Sequence, residues 1–192
     1  MPRPATFHSD VVLERALLTF WTYGYAGTSI ADLVESTQLL RGSIYHSFGD
    51  KRSLYIQTLE RYGHMALQQA TAFWNQAEPS LGNFRAFLMV IVDLPEAQKR
   101  RGSMICNCIV EVVPHDPEIA KVVEGILSEF KRVLQSVLER AKQAGELRAH
   151  ANTTALARYL VSSMQGLCVT AKAGAPREEL LDIVEVTLTA LQ

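Results

Sequence analysis

The sequence predicts an all-α protein, with an N-terminal three-helix domain containing a helix-turn-helix and a larger C-terminal helical domain. Three observations carry that prediction. Apolar residues recur at three- and four-residue spacing along nearly the whole chain. Good capping residues stand where those patterns begin and glycine or proline where they end. No stretch alternates like a strand, and there is no repeat or low-complexity tract.

Leu13, Ala16, Leu17 and Phe20 form one face of a first helix that ends near Gly24. Ser29-Ile30-Ala31-Asp32 is a capping box: the serine can accept from freed amides while the aspartate suits the positive helix start. The helix it opens is short, because Ser36-Thr37-Gln38 interrupts the pattern after Leu33 and Val34. A third short helix carries Leu39, Ile44, Tyr45 and Phe48. Gly49 closes it, and Asp50 caps a fourth helix that starts at Lys51 and runs to about Gln76. Leu54, Leu59, Tyr62, Ala66, Ala70 and Phe73 are its expected inner face, and Pro79 marks its end.

Beyond it, 81 to 94 is apolar and stops at Pro95, while 96 to 102, with Lys99-Arg100-Arg101, reads as a solvated loop. Ser103 to Val113 is apolar again and ends at Pro114. Asp116-Pro117-Glu118 then places a cap, a first-position proline and a first-turn acid in order. The helix they open continues to Gly145, a length of roughly 40 Å at the usual rise. Two more helices span about 153–172 and 176–191. The expected domains are 1–50 and 51–192, with the fourth helix connecting them.

Composition narrows the function classes. With 48% hydrophobic and 20% charged residues in 192, the chain can bury a sizeable core, which argues against disorder. Three cysteines, Cys106, Cys108 and Cys168, suit a reducing compartment better than a disulfide scaffold. Met1 to Phe7 holds no apolar stretch for a signal peptide, and the longest apolar run, Phe87 to Val92, is too short to span a bilayer. The expectation is a cytoplasmic protein with no membrane contact. The net charge of −1 gives no global field for attracting nucleic acid, so any such contact must rest on local charge.

The two short capped helices form a helix-turn-helix, in which the first braces the second and the second offers its exposed face to a major groove. With Leu39, Ile44 and Phe48 turned inward, Arg41, Gly42, Ser43, Tyr45, His46 and Ser47 remain for groove and backbone. Arg41 can donate a bidentate pair to guanine, Ser43 can bond a base edge, and Tyr45 and His46 can reach phosphates. Gly42 allows close approach, and Lys51 adds its charge to free amides at a helix start.

Gly24-Tyr25-Ala26-Gly27-Thr28-Ser29-Ile30, then Arg41-Gly42-Ser43-Ile44-Tyr45-His46-Ser47-Phe48, then Lys51 and Leu54, resemble the DNA-binding signature of TetR-family regulators over roughly residues 8 to 60. That resemblance implies a three-helix DNA-binding domain with Thr28 and Ser29 in the contacting set. It also implies a helical ligand-binding domain, a homodimer through the last two helices, and repression of a near-palindromic double-stranded DNA operator relieved by a small effector. Two positions depart from the pattern. Gln38 stands where glycine is frequent, putting a Cβ at a left-handed or near-bridge position, and Leu40 replaces the Ser or Thr that usually caps the recognition helix.

Phe87, Met104, Phe130 and Tyr159 read either as core or as the lining of an effector pocket. His64, Asn107 and Gln165, polar residues on apolar helices, are either satisfied core groups or pocket anchors. Ser162, Ser163 and Gly166 are small enough for close helix packing, at a dimer seam or elsewhere. No metal or cofactor is expected: Cys106 and Cys108, two apart, point about 200° from each other on a helix. No nucleophile elbow, phosphate loop or zinc spacing supports an enzyme. Two alternatives stand beside the repressor reading: a regulator that senses oxidants or electrophiles through its thiols, and a helical small-molecule carrier that binds no DNA.

Overall fold

The computed structural model describes residues 9–192, and among these every regular element is a helix. The leading segment read as free of a signal peptide lies outside the described residues. No helix among the described residues is long and apolar enough to cross a membrane.

Helix α1 (Ser9–Gly27) buries Val12, Ala16, Leu17 and Phe20, and its regular backbone breaks at Gly24, with φ 77° and ψ 174°. Only glycine adopts that conformation readily. α2 (Ile30–Thr37) starts on the predicted box: Asp32 N donates to Ser29 Oγ at 3.1 Å and Ser29 N to Asp32 Oδ2 at 2.7 Å. Gln38 ends it in the left-handed region, at φ 60° and ψ 23°. α3 (Arg41–Phe48) follows, preceded by Leu40 with no side-chain cap. α4 (Lys51–Gln76) is capped by Asp50, which accepts from Ser53 N at 2.7 Å.

α5 (Leu81–Val92), α6 (Glu96–Arg101) and α7 (Met104–Glu111) come next, then a short 3-10 turn over Val113–His115. α8 (Pro117–Gln143) opens on Asp116 as the sequence predicts. It ends before Gly145, whose φ is 79°. α9 (Thr153–Lys172) and α10 (Arg177–Thr189) complete the chain.

The stretch expected to be a solvated loop, 96–102, is therefore a correction. Its charged residues hid it from a reading based on apolar spacing, yet they are strong helix formers. Glu96 also sits in the first turn and Lys99, Arg100 and Arg101 in the last, each matched to the helix dipole. α6 is held by tertiary contacts as well: Trp21 Nε1 donates to Gly102 O at 2.8 Å, and the Arg101 guanidinium lies 4.8 Å from the Trp21 ring centre.

Two apolar clusters hold the molecule. One joins α1 to α4 and runs without a break into Met104, Ile105 and Cys108 of α7 and Ile119 and Val123 of α8. The other packs the end of α4, through Trp74, against α5, the second half of α8, α9 and α10. α4 passes through both. Its deepest residues include Tyr55, Gly63 and Trp74, which the predicted inner face omits, because α1 and α8 grip it from different sides. At Gly63 the grip is close: a Cβ there would lie 2.7 Å from the Ile126 side chain.

Candidate nucleic-acid interface and effector cavity

α3 presents two unlike faces. Ile44 is fully buried and Phe48 nearly so, which fixes the helix on α1, α2 and α4. Leu40, Arg41, Gly42, Tyr45, His46 and Ser47 are exposed, and Ser43 is half-buried. Arg41 lies along Tyr45, with Nη2 3.4 Å from the phenol oxygen and the guanidinium 5.5 Å from the ring centre. A Cβ added at Gly42 would meet nothing within 4 Å, so this surface is bare.

Lys51 begins α4 with its ammonium 4.4 Å from the centre of the Tyr25 ring, an aromatic rest that directs the charge beside the helix start. Arg52, the next cation, is committed elsewhere. Its fork spans Asp116, with Nε to Oδ2 at 2.6 Å and Nη2 to Oδ1 at 2.8 Å, and Nη2 also reaches Glu118 Oε2 at 2.7 Å. That pair holds the Asp116 carboxyl well below the ordinary carboxylate range, helped by the Ile119 and Glu118 amides. The acids near the interface are likewise occupied. Hydrogen bonds from Ser29 lower the Asp32 carboxyl, and those from Ser53 lower Asp50.

The structure separates Thr28 from the others proposed to meet DNA. Thr28 is buried, with its hydroxyl donating to Gly24 O at 2.6 Å, so it holds the turn while exposed Ser29 begins α2. The turn is also held from α7. Glu111 accepts from Tyr25 N at 3.1 Å and Ala26 N at 2.7 Å, filling the space where a Gly24 side chain would stand. Sequence gave no sign of this contact, since Glu111 is an ordinary acid at the end of an apolar helix 86 residues away.

A cavity of about 530 Å³ lies between the two clusters. α1 contributes Trp21, α4 Tyr62 and Phe73, and α5, α8 and α9 contribute Phe87, Phe130 and Gln165. Phe87, Phe130 and Gln165 are thus brought together as proposed lining residues. Four other candidates lie outside. Met104 is buried in the N-terminal cluster. Asn107 is spent on bracing, donating to Arg101 O at 3.0 Å and accepting from Lys172 Nζ at 2.6 Å. Tyr159 faces outward on α9. His64 borders a separate open groove with Leu13 and Gly125. Helical spacing marks these residues as inward or polar but does not say which neighbour each meets.

Cys106 and Cys168 also border the cavity, a placement that spacing alone did not reveal, whereas Cys108 turns into the N-terminal core. Burial pushes all three thiols up, Cys168 to about 12. Among the described residues no group of three or more His, Cys, Asp or Glu side chains could hold a metal ion.

Two family models match the chain: "Bacterial regulatory proteins, tetR family" over residues 12–58 and "Tetracyclin repressor-like, C-terminal domain" over 81–182. It is 32% identical to the uncharacterized HTH-type transcriptional regulator YezE of Bacillus subtilis (strain 168), over the full length of both. It is 30% identical to the HTH-type transcriptional repressor ComR of Escherichia coli (strain K12), covering 97% of this chain and 90% of that one. Among solved structures, a cysteine mutant of the TetR family transcriptional regulator CifR, complexed with 26bp operator DNA, superposes with a TM-score of 0.83 at 28% identity over all of both chains.

Proposed function

Because this chain belongs to the TetR family and is a DNA-binding transcriptional regulator, not an enzyme, we propose that it is a homodimeric repressor released from its operator by a small apolar or amphipathic effector. The observation that carries the reading is the bare, polar outer face of α3, set on a fully buried inner face. Arg41 and Ser43 are the groups for base edges, while Tyr45, His46, Ser29 and Lys51 serve the phosphates. The cavity bordered by Phe87, Phe130 and Gln165 takes the effector. Its size and mostly apolar wall suit a small molecule.

Dimerisation is supported by the outer face of α9. Tyr159, Ser162, Gly166 and Val169 are all exposed at a seven-residue rhythm, and Val186 of α10 is exposed as well. Two recognition helices then enter successive major grooves roughly 34 Å apart.

The test is selection from a random duplex library, with an Arg41→Ala, Tyr45→Ala double variant alongside. The wild type enriches an inverted repeat and the variant enriches nothing. If neither enriches a sequence across a range of salt, after extraction of any small molecule carried through purification, the repressor reading fails and the carrier reading takes its place.

One observation favours a thiol-based effector response: Cys106 and Cys168, from different helices, border the same cavity. In that reading a cavity thiolate forms a C–S bond to the β-carbon of an unsaturated carbonyl compound, and the proton ends on its α-carbon. Because burial raises both thiols, alkylation is slow at neutral pH and accelerates as pH rises toward the Cys168 value of about 12. Mass spectrometry of the alkylated chain against pH measures this. A Cys106→Ser, Cys168→Ser variant that still releases DNA with the electrophile rules the thiol route out.

A further inference from the structure

Leu40 is the residue that closes the start of α3, yet it makes no cap hydrogen bond. A Ser, Thr, Asp or Asn there would stabilise the helix by accepting from its free amides. Leucine forgoes that gain and also leaves 78% of its surface open, while Ile44 and Phe48 on the inner side of the same element are buried. Among the described residues little screens it: Arg41 and Gly42 beside it are exposed, and a Cβ at Gly42 would meet nothing within 4 Å. Two local rules are broken at one position, and that position is where a recognition helix meets base edges.

The features of a major groove are donors and acceptors with one exception, the C5-methyl group of thymine. Leu40 is the large apolar side chain on an outer face otherwise made of Arg41, Gly42, Tyr45, His46 and Ser47. We propose that Leu40 is a specificity-determining residue that reads thymine, burying the C5-methyl of one thymine in each half-site. This rests on the DNA-binding reading and deepens it. Arg41 supplies the hydrogen-bonded contact and Leu40 an apolar one beside it, so the half-site holds a thymine next to the base that Arg41 meets. Complex formation removes the exposed leucine from water, which offsets the cap lost in the free protein.

The experiment replaces each thymine of the selected operator by deoxyuridine, which differs only by the missing methyl, and measures Kd for wild type, Leu40→Ala and Leu40→Ser. Burying one methyl is worth a roughly fourfold change in Kd. At one thymine per half-site, wild type therefore binds the doubly substituted duplex about fifteenfold more weakly. Both variants bind the two duplexes equally. Leu40→Ser also restores a cap, so its melting temperature is no lower than that of wild type, which separates lost reading from lost folding. Sequence-specific binding that ignores the methyl at every thymine overturns this inference and leaves the repressor reading intact. So does a Leu40→Ser variant that keeps the wild-type ratio. Failure of the wild type to select any duplex takes down both readings.

Discussion

Asp116 shows how much a single side chain does here. It accepts from the Glu118 and Ile119 amides, both at 3.1 Å, and receives the Arg52 fork from α4. Its folded carboxyl is depressed below the ordinary value of 3.8, so the stability it adds is present above that pH and drains away as pH falls toward the folded value. Urea midpoints measured from pH 6 downward should therefore fall steeply below about pH 4 for wild type, and less steeply for Asp116→Asn. Parallel acid limbs would show that the pair adds nothing. The cap itself was legible in Asp116-Pro117-Glu118, because capping is a local matter. Its partner Arg52 was not, lying 64 residues away. Gln38 follows the same division. The family resemblance pointed to a left-handed or near-bridge backbone there, and the structure has it left-handed, with the side-chain amide donating to Glu35 O.

Among elements, α4 and α8 cross closely, and Gly63 is what permits it. The neighbouring Ile126 is β-branched and stiff, with three of its side-chain carbons within 2.9 Å of the place a Cβ would occupy. Gly63→Ala should cost about 1–2 kcal/mol net, the overpacking strain exceeding the helix-propensity gain of alanine. In an Ile126→Ala background the same change should become neutral or stabilising, which denaturant midpoints of the four proteins would reveal. An equal effect in both backgrounds would mean that the crossing has room to spare. Element existence was readable almost throughout, since caps and apolar rhythm agree along the chain. α6 escaped because its helical signal is propensity and dipole matching without an apolar stripe. The face of α4 was read only in part, because a helix gripped by α1, α7 and α8 buries more than one stripe.

For the whole molecule, assembly decides whether a near-neutral chain can hold DNA. Acidic and basic side chains balance over residues 1 to 62, and Arg52 is bound to Asp116 and Glu118. One protomer thus offers few cations to phosphate, and the salt dependence of binding should be shallow, which Kd measured across salt would check. In the proposed homodimer, specific affinity comes from joining two half-sites. Val169→Glu, on the exposed face of α9, should leave helicity and melting nearly unchanged while sedimentation shifts from dimer to monomer. Operator affinity then falls by about 10²-fold or more as the second half-site contact stops being intramolecular. A variant that stays dimeric would place the seam elsewhere. Of the binding surface, the outer face of α3 was legible because period and motif coincide there. The cavity was half legible: Phe87, Phe130 and Gln165 were singled out, but Trp21, Tyr62 and Cys168 meet them only through tertiary packing.

The wall that Trp21, Leu17 and Leu18 of α1 give this cavity has a thermodynamic corollary. An occupant touches the helix that carries the recognition unit as well as the domain that encloses it, so occupancy and operator binding share one closed cycle. Whatever factor the occupant removes from operator affinity, the operator must remove from the occupant's affinity, even though the two never meet. For the proposed dimer, a titration of the small molecule with operator present and one without it therefore yield the coupling factor between the two sites without any measurement of transcription.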